Sequence, residues 1–325
     1  MALAIDIKGL VRRFGDLEAV AGIDCAVEHG EIFGFLGPNG AGKTTTISIL
    51  STLLDPTEGS VAVNGFDVRK QRNQVRRSIG LVFQDPSLDD RLTAEENLLL
   101  HAKLYSVPKQ EYRPRMEEVL RLVDLWDRRK DRVRTFSGGM KRRLEIARGL
   151  IHYPAVLVLD EPTIGLDPQT RAYLWDYILK LKHDRGMTIF MTTHYMDEAE
   201  YCDRLAIMDH GKIVATGTPS ELKKQVGEDT ISITTTHMAE LKKELASKGA
   251  AAMAESDGVL ELKVPNAEQF LPRLFDGLDS TLIGSIDLKR PTMDDVFLTL
   301  TGRAIREAEA SGRDLMRSNP RRGLH

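Results

Sequence analysis

At 325 residues, with 42% hydrophobic and 29% charged side chains, the chain exceeds one small domain and falls outside the disordered and fibrous classes. A net charge of −3, from 45 Lys and Arg against 48 Asp and Glu, gives no electrostatic reason to expect nucleic acid as a partner. The two cysteines, Cys25 and Cys202, stand far apart and match no zinc spacing, which suits a reducing compartment.

The first eight residues lack the basic start, apolar core and cleavage site of a leader peptide. No apolar run approaches the roughly 18–20 residues needed to cross a bilayer. The expectation is a soluble, cytoplasmic chain whose membrane role comes through a partner. Ala4–Ile7 and Glu31–Leu36 read as strands, the second leading into a glycine-rich turn and a helix from about Lys43. Ser78–Phe83, Val156–Leu159, Thr188–Thr192 and Leu205–Met208 are short apolar runs without polar alternation, as in strands covered on both faces of an α/β sheet. Ala26–Val27 and Ser60–Val63 alternate more and are expected at an antiparallel edge.

Between Leu92 and Val133 the pattern becomes helical. Ala94–Tyr105 and Tyr112–Leu125 carry apolar residues at three-to-four spacing, and Thr93 with Glu96 reads as a capping box. After a turn at Gly217–Gly227 a smaller pattern follows: strands at Ile231–Thr235, Val259–Val264 and Thr281–Leu288, helices at Met238–Ser247 and Ala267–Phe275. A last helix opens at Pro291-Thr292, is capped by Asp295 and stops near Gly302. The remaining residues, with Arg303, Arg306, Arg313, Arg317, Arg321 and Arg322, read as a basic tail.

Three motifs carry chemistry. Gly37-Pro38-Asn39-Gly40-Ala41-Gly42-Lys43-Thr44, with Thr45 next to it, fits the phosphate loop G-x-x-x-x-G-K-[ST] between a strand and a helix. Its backbone N–H groups can close around phosphate oxygens. Lys43 can reach the β- and γ-phosphates, and the Thr44 hydroxyl can ligate Mg²⁺. Val156–Leu159 ends in Asp160-Glu161, two acids at the carboxyl edge of a strand. There Asp160 would hold Mg²⁺, and Glu161 would orient and deprotonate a water. Ser137-Gly138-Gly139 opens a third segment, a serine and two glycines at a helix start.

In chain order these pieces are the phosphate loop, Gln84 after a strand, a helical insert, Ser137-Gly138-Gly139, Asp160-Glu161, and His194 after another strand. The succession resembles the nucleotide-binding domain of ABC transporters over residues 3–220. The implied fold is α/β: a P-loop NTPase of the ABC type with a helical insert at about 85–150, followed by a small α/β domain at 228–302 and the tail at 303–325. The resemblance implies that Phe14 stacks on adenine and that Gln84 senses Mg²⁺ and water. It implies that Ser137, Gly138 and Gly139 contact ATP held by a second subunit, and that Asp167 lies in the D-loop at the seam. His194 becomes the switch histidine on the γ-phosphate. Two departures stand out: the usual Leu-Ser-Gly-Gly-Gln begins here with Phe136 and ends with Met140.

The stretch Arg290–Gly302, with Leu92-Thr93-Ala94 and Glu96-Asn97-Leu98, looks like daunorubicin-resistance-type ATP-binding subunits. That likeness implies ATP and Mg²⁺ as ligands and a homodimer in the ATP state. It also implies a separate multi-span permease docked near the Gln84 loop, and a peripheral position on the cytoplasmic face of the membrane. The cargo implied is a drug-like or lipid-like compound. The competing reading is a soluble ABC ATPase in translation or DNA maintenance. Against it stand one cassette rather than two, and no zinc-finger cysteines or long coiled-coil insertion.

Overall fold

The computed structural model describes residues 3–85, 87–247, 253–256, 258–276 and 282–302. The basic tail at 303–325 lies outside the described residues. Contacts divide the chain into two compact units, Ser220–Thr299 and the remainder.

In the larger unit the central sheet has six strands. They are β3 (Ile32–Leu36), β6 (Ile79–Val82), β7 (Val156–Asp160), β8 (Thr188–Thr193), β9 (Arg204–Asp209) and β10 (Lys212–Gly217), in the order β10-β9-β3-β8-β7-β6. All pairs are parallel except β9 with β10. Every residue of β3, β7 and β8 is buried, which is why these segments read as unbroken apolar runs. Phe33, Phe35 and Phe190 fill the sheet interior, Phe35 and Phe190 meeting edge to face at 4.8 Å.

A second, antiparallel sheet runs β2-β1-β4-β5, from β1 (Ile5–Phe14), β2 (Leu17–Val27), β4 (Glu58–Val63) and β5 (Phe66–Asp67). Ala26–Val27 and Ser60–Val63 therefore belong to a sheet of their own and not to an edge of the central one. The alternation of buried and exposed residues along β2 fits one face packed and one wet. Ser78, expected in a strand, instead ends helix α2 (Arg72–Ser78), where its hydroxyl donates to the Gln74 carbonyl.

Helix α1 (Lys43–Leu50) follows the glycine loop. The helical insert holds α3 (Ala94–Leu104), α4 (Tyr112–Leu122) and α5 (Gly138–Leu150). Thr93 and Glu96 exchange both bonds of the capping box. Helix α5 runs close over β6: a Cβ on Gly80 would lie 2.3 Å from the Gly149 carbonyl oxygen. The 18-residue α6 (Pro168–Arg185) and the short α7 (Met196–Ala199) complete this unit.

The smaller unit is a four-stranded antiparallel sheet, β12 (Met253–Ser256), β13 (Val259–Val264), β11 (Asp229–Thr234) and β14 (Ser285–Lys289) in that order. Its helices are α9 (Met238–Ser247) and α10 (Ala267–Phe275), and Leu241, Leu245 and Leu274 join Ile231, Ile233, Leu260 and Leu262 in one core. Helix α8 (Pro219–Val226) leads in and α11 (Met293–Thr301) follows β14, with Thr292 and Asp295 bonding reciprocally at the start of α11.

Candidate active site

Strand register sets the site. In the order β3-β8-β7, Leu36 lies opposite Thr193, and Thr192 opposite Asp160. The residues that follow each strand end, Gly37, His194 and Glu161, are therefore gathered at one carboxyl edge, where open parallel sheets bind ligands.

Gly42 caps α1 in the left-handed region, at φ 106°, and contributes no side-chain hydrogen bond. A helix N-terminus favours an anion, and that of α1 lies at the glycine loop. A Cβ at Gly42 would lie 2.6 Å from the Ala19 carbonyl oxygen, so only glycine lets the loop sit this close to β2. Buried Lys43 folds back over the loop, its Nζ donating to the carbonyls of Gly37 (2.6 Å) and Pro38 (3.2 Å).

Glu161 is the focus. Lys43 Nζ lies 3.4 Å from its Oε1, and His194 Nδ1 lies 3.3 Å from the same oxygen. The other oxygen, Oε2, is buried and has no hydrogen-bond partner. Burial opposes ionisation, but His194 and Lys43 outweigh it and hold the carboxyl below the ordinary range. Its backbone stands at φ 45°, the left-handed region that a residue other than glycine rarely occupies. Beside it, burial pushes the Asp160 carboxyl up, partly offset by the Thr192 and Thr44 hydroxyls; Thr192 Oγ1 donates to Oδ1 at 2.5 Å. Two neighbouring acids are thus driven in opposite directions.

Of these groups, Lys43, Thr44 and Glu161 line a cleft of about 470 Å³ together with Phe14, Leu17, Ala19, Pro38, Asn39, Gly40, Gly42, Thr45 and Gln84; Asp160 and His194 contact these groups but are not part of its lining. Phe14 is 40% exposed, and the Arg12 guanidinium covers its ring at 4.4 Å. Gly37 and Ala41 are buried in the loop beneath. A Cβ at Gly37 would meet the Met208 carbonyl oxygen at 2.3 Å.

Ser137, Gly138, Gly139 and Asp167 do not line this cleft. Ser137 Oγ caps α5, accepting from Met140 N, and Asp167 caps α6, accepting from Thr170 N. Ser137, Gly138 and Asp167 are exposed. Gly139 is buried, and a Cβ there would lie 2.3 Å from Thr170 Cγ2, so this glycine is required by the packing of α5 on α6.

The donor set fits Mg²⁺. Thr44, Asp160 and Gln84 offer hydroxyl, carboxylate and amide oxygens, hard ligands that leave room for water and phosphate. No group of three or more His, Cys, Asp or Glu suited to a metal exists among the described residues.

One relevant side chain carried no local signal in the sequence. Glu198, on α7, is 1% exposed; its two oxygens accept from Thr163 Oγ1 and from Thr193 Oγ1, the latter at 2.5 Å. It thereby ties the segment after Glu161 to the segment before His194. Burial raises its carboxyl above the usual range, against those two hydroxyls.

The ABC transporter family profile matches residues 20–164, and that of the ATP-binding protein DrrA1-3-like C-terminal domain matches residues 217–301. The daunorubicin resistance ATP-binding protein DrrA3 of Streptomyces coeruleorubidus is 40% identical over 94% of this chain and 98% of its own length. The linearmycin resistance ATP-binding protein LnrL of Bacillus subtilis is 36% identical, over 93% of this chain and all of its own. The Nod factor export ATP-binding protein I of Burkholderia lata is 39% identical, over 93% and 98%. Among solved structures, cbiO1 of Clostridium perfringens, part of an ABC transporter complex, aligns with a TM-score of 0.64 at 27% identity, over 76% of this chain and 96% of its own. A dimeric ATP-binding cassette in a post-hydrolysis state with ADP and Pi aligns at 0.60 and 27% identity, over 66% and 98%.

Proposed function

The chain belongs to the ABC transporter ATP-binding family, and from that premise we propose that it closes as a homodimer on two Mg-ATP and drives export through a separate membrane permease. It is an ATP-hydrolysing transport subunit; the reading as an ABC ATPase of translation or DNA maintenance falls away. Among the described residues no helix is long and apolar enough to cross a membrane. The kinship with export and resistance ATP-binding proteins supports a membrane path in a partner, with this subunit at the cytoplasmic face.

The observation that carries the reading is the convergence of Lys43 and His194 on one oxygen of Glu161 while the other stays bare. An ionised carboxylate with one free, buried oxygen at a phosphate loop is placed to take a proton from water. Lys43 and the N–H groups of α1 hold the phosphates, His194 reaches the γ-phosphate, and Phe14, braced by Arg12, stacks on adenine. Mg²⁺ bound by Thr44, Asp160 and Gln84 would neutralise charge on the β- and γ-phosphates. Ser137, Gly138 and Gly139 lie away from their own cleft, which suits a role on the ATP of the second subunit, with Asp167 at the seam. Two sites shared across a two-fold axis make closure depend on ATP. The permease docks near the Gln84 loop, because that loop joins the sheet to the helical insert.

The resistance and export proteins among its relatives support a drug-like or lipid-like cargo. The test is recovery of the tagged chain from gently solubilised membranes, with co-purifying proteins identified by mass spectrometry. A stoichiometric multi-span protein is expected. Recovery from the soluble fraction alone would contradict the transport reading.

A further inference from the structure

Arg142, on the first turns of α5, is 7% exposed, and all five of its N–H donors are engaged. Nε donates to the Pro162 carbonyl at 2.7 Å. Nη2 donates to the carbonyls of Asp160 (3.1 Å) and Glu161 (3.3 Å). Nη1 donates to the Phe83 carbonyl and to Glu145 Oε2, the latter at 3.1 Å. The other Glu145 oxygen accepts from Ser87 N at 2.8 Å, and Glu145 is 1% exposed.

The acceptors are not a random sample of the core. Asp160, Glu161 and Pro162 are consecutive and form the turn in which Glu161 is held at φ 45°. Strand β7 ends at Asp160, so the sheet cannot serve the carbonyls of Glu161 and Pro162. Phe83 immediately precedes Gln84, and Ser87 follows on the same loop. One planar guanidinium therefore spans three segments: the helix that begins at Ser137-Gly138-Gly139, the turn that carries Glu161, and the loop that carries Gln84.

We propose that Arg142 is a positioning residue for hydrolysis, which links the Ser137 end of α5 to Glu161 and Gln84 of the same chain. Seating α5 on the nucleotide of the second subunit then sets the base and the glutamine of the first subunit's own cleft. The link needs a forked, five-donor side chain; a lysine ammonium has three donors on a flexible stem and cannot serve the same acceptors. This inference rests on the reading of Glu161 as the base.

The test uses the full chain, with Arg142→Lys and Arg142→Gln measured beside Glu161→Gln. For the Arg142 variants kcat is expected to fall about 100-fold, the penalty of a displacement near 1 Å at a reacting group, with the KM for ATP close to wild type. Thermal unfolding of each variant is recorded alongside. A wild-type kcat in a folded Arg142 variant, while Glu161→Gln is inactive, would overturn the proposal and leave the site reading intact. Equal losses in kcat and ATP affinity, or failure of both variants to fold, would assign the guanidinium to the core alone and also overturn it. Turnover by Glu161→Gln at the wild-type rate would remove both.

Discussion

Glu161 is asked to be ionised in a buried place and to keep an oxygen free. Lys43 and His194 make the first possible, and the bare Oε2 is the second. Because its folded-state carboxyl sits below its ordinary value, this group stabilises the fold above the usual carboxylate range, and that contribution is lost as pH falls through the depressed value. In the proposed mechanism Lys43 serves twice, as a phosphate contact and as the counter-charge beside Glu161. Lys43→Ala is expected to weaken Mg-ATP binding by about 1.5–3 kcal/mol, the worth of a charged hydrogen bond; titration calorimetry reads it, and unchanged affinity would remove Lys43 from the site. That Lys43, Asp160, Glu161 and His194 come together was legible in the sequence, because the last three end or follow a strand in a fixed order and Lys43 closes the glycine loop after another. Arg142 and Glu198 were not: the first donates mainly to backbone carbonyls remote in sequence, and the second accepts from Thr193, five residues before it, and from the distant Thr163. No local pattern encodes such partners.

At the level of elements, the parallel strands were legible because residues buried on both faces leave unbroken apolar runs. Helix α6 was not. Its neighbours Tyr173 and Leu174 are 71% and 1% exposed, so apolar residues spread beyond one stripe and the helical period is blurred. Strand β10 alternates with every second residue exposed and is short, which hides it beside a turn. The contact of α5 with α6 gives Gly139 a packing role alongside its proposed role on the second subunit's ATP. Gly139→Ala is expected to destabilise by about 1–3 kcal/mol through overpacking against Thr170. Thr170→Ser removes Cγ2, keeps the hydroxyl that bonds Asp167, and is expected to restore most of that loss. Urea unfolding of the two single variants and the double variant measures the coupling; strict additivity would place the effect elsewhere.

For the whole molecule, the larger unit carries a cleft lined by the glycine loop, Gln84 and Glu161, with His194 beside Glu161, while Ser137 and Gly139 do not line it. Each subunit is in this account both the holder of one ATP and the lid of another. Hydrolysis removes the bridge, and the separation of two bodies becomes the mechanical output. The measurement that tests this most directly is sedimentation of the Glu161→Gln chain with Mg-ATP and with Mg-ADP, beside its rate of phosphate release. The account predicts a stable dimer with ATP, a monomer with ADP, and turnover reduced about 100-fold or more by loss of the general base. A Glu161→Gln chain that stays monomeric with ATP and still releases phosphate at the wild-type rate would contradict it.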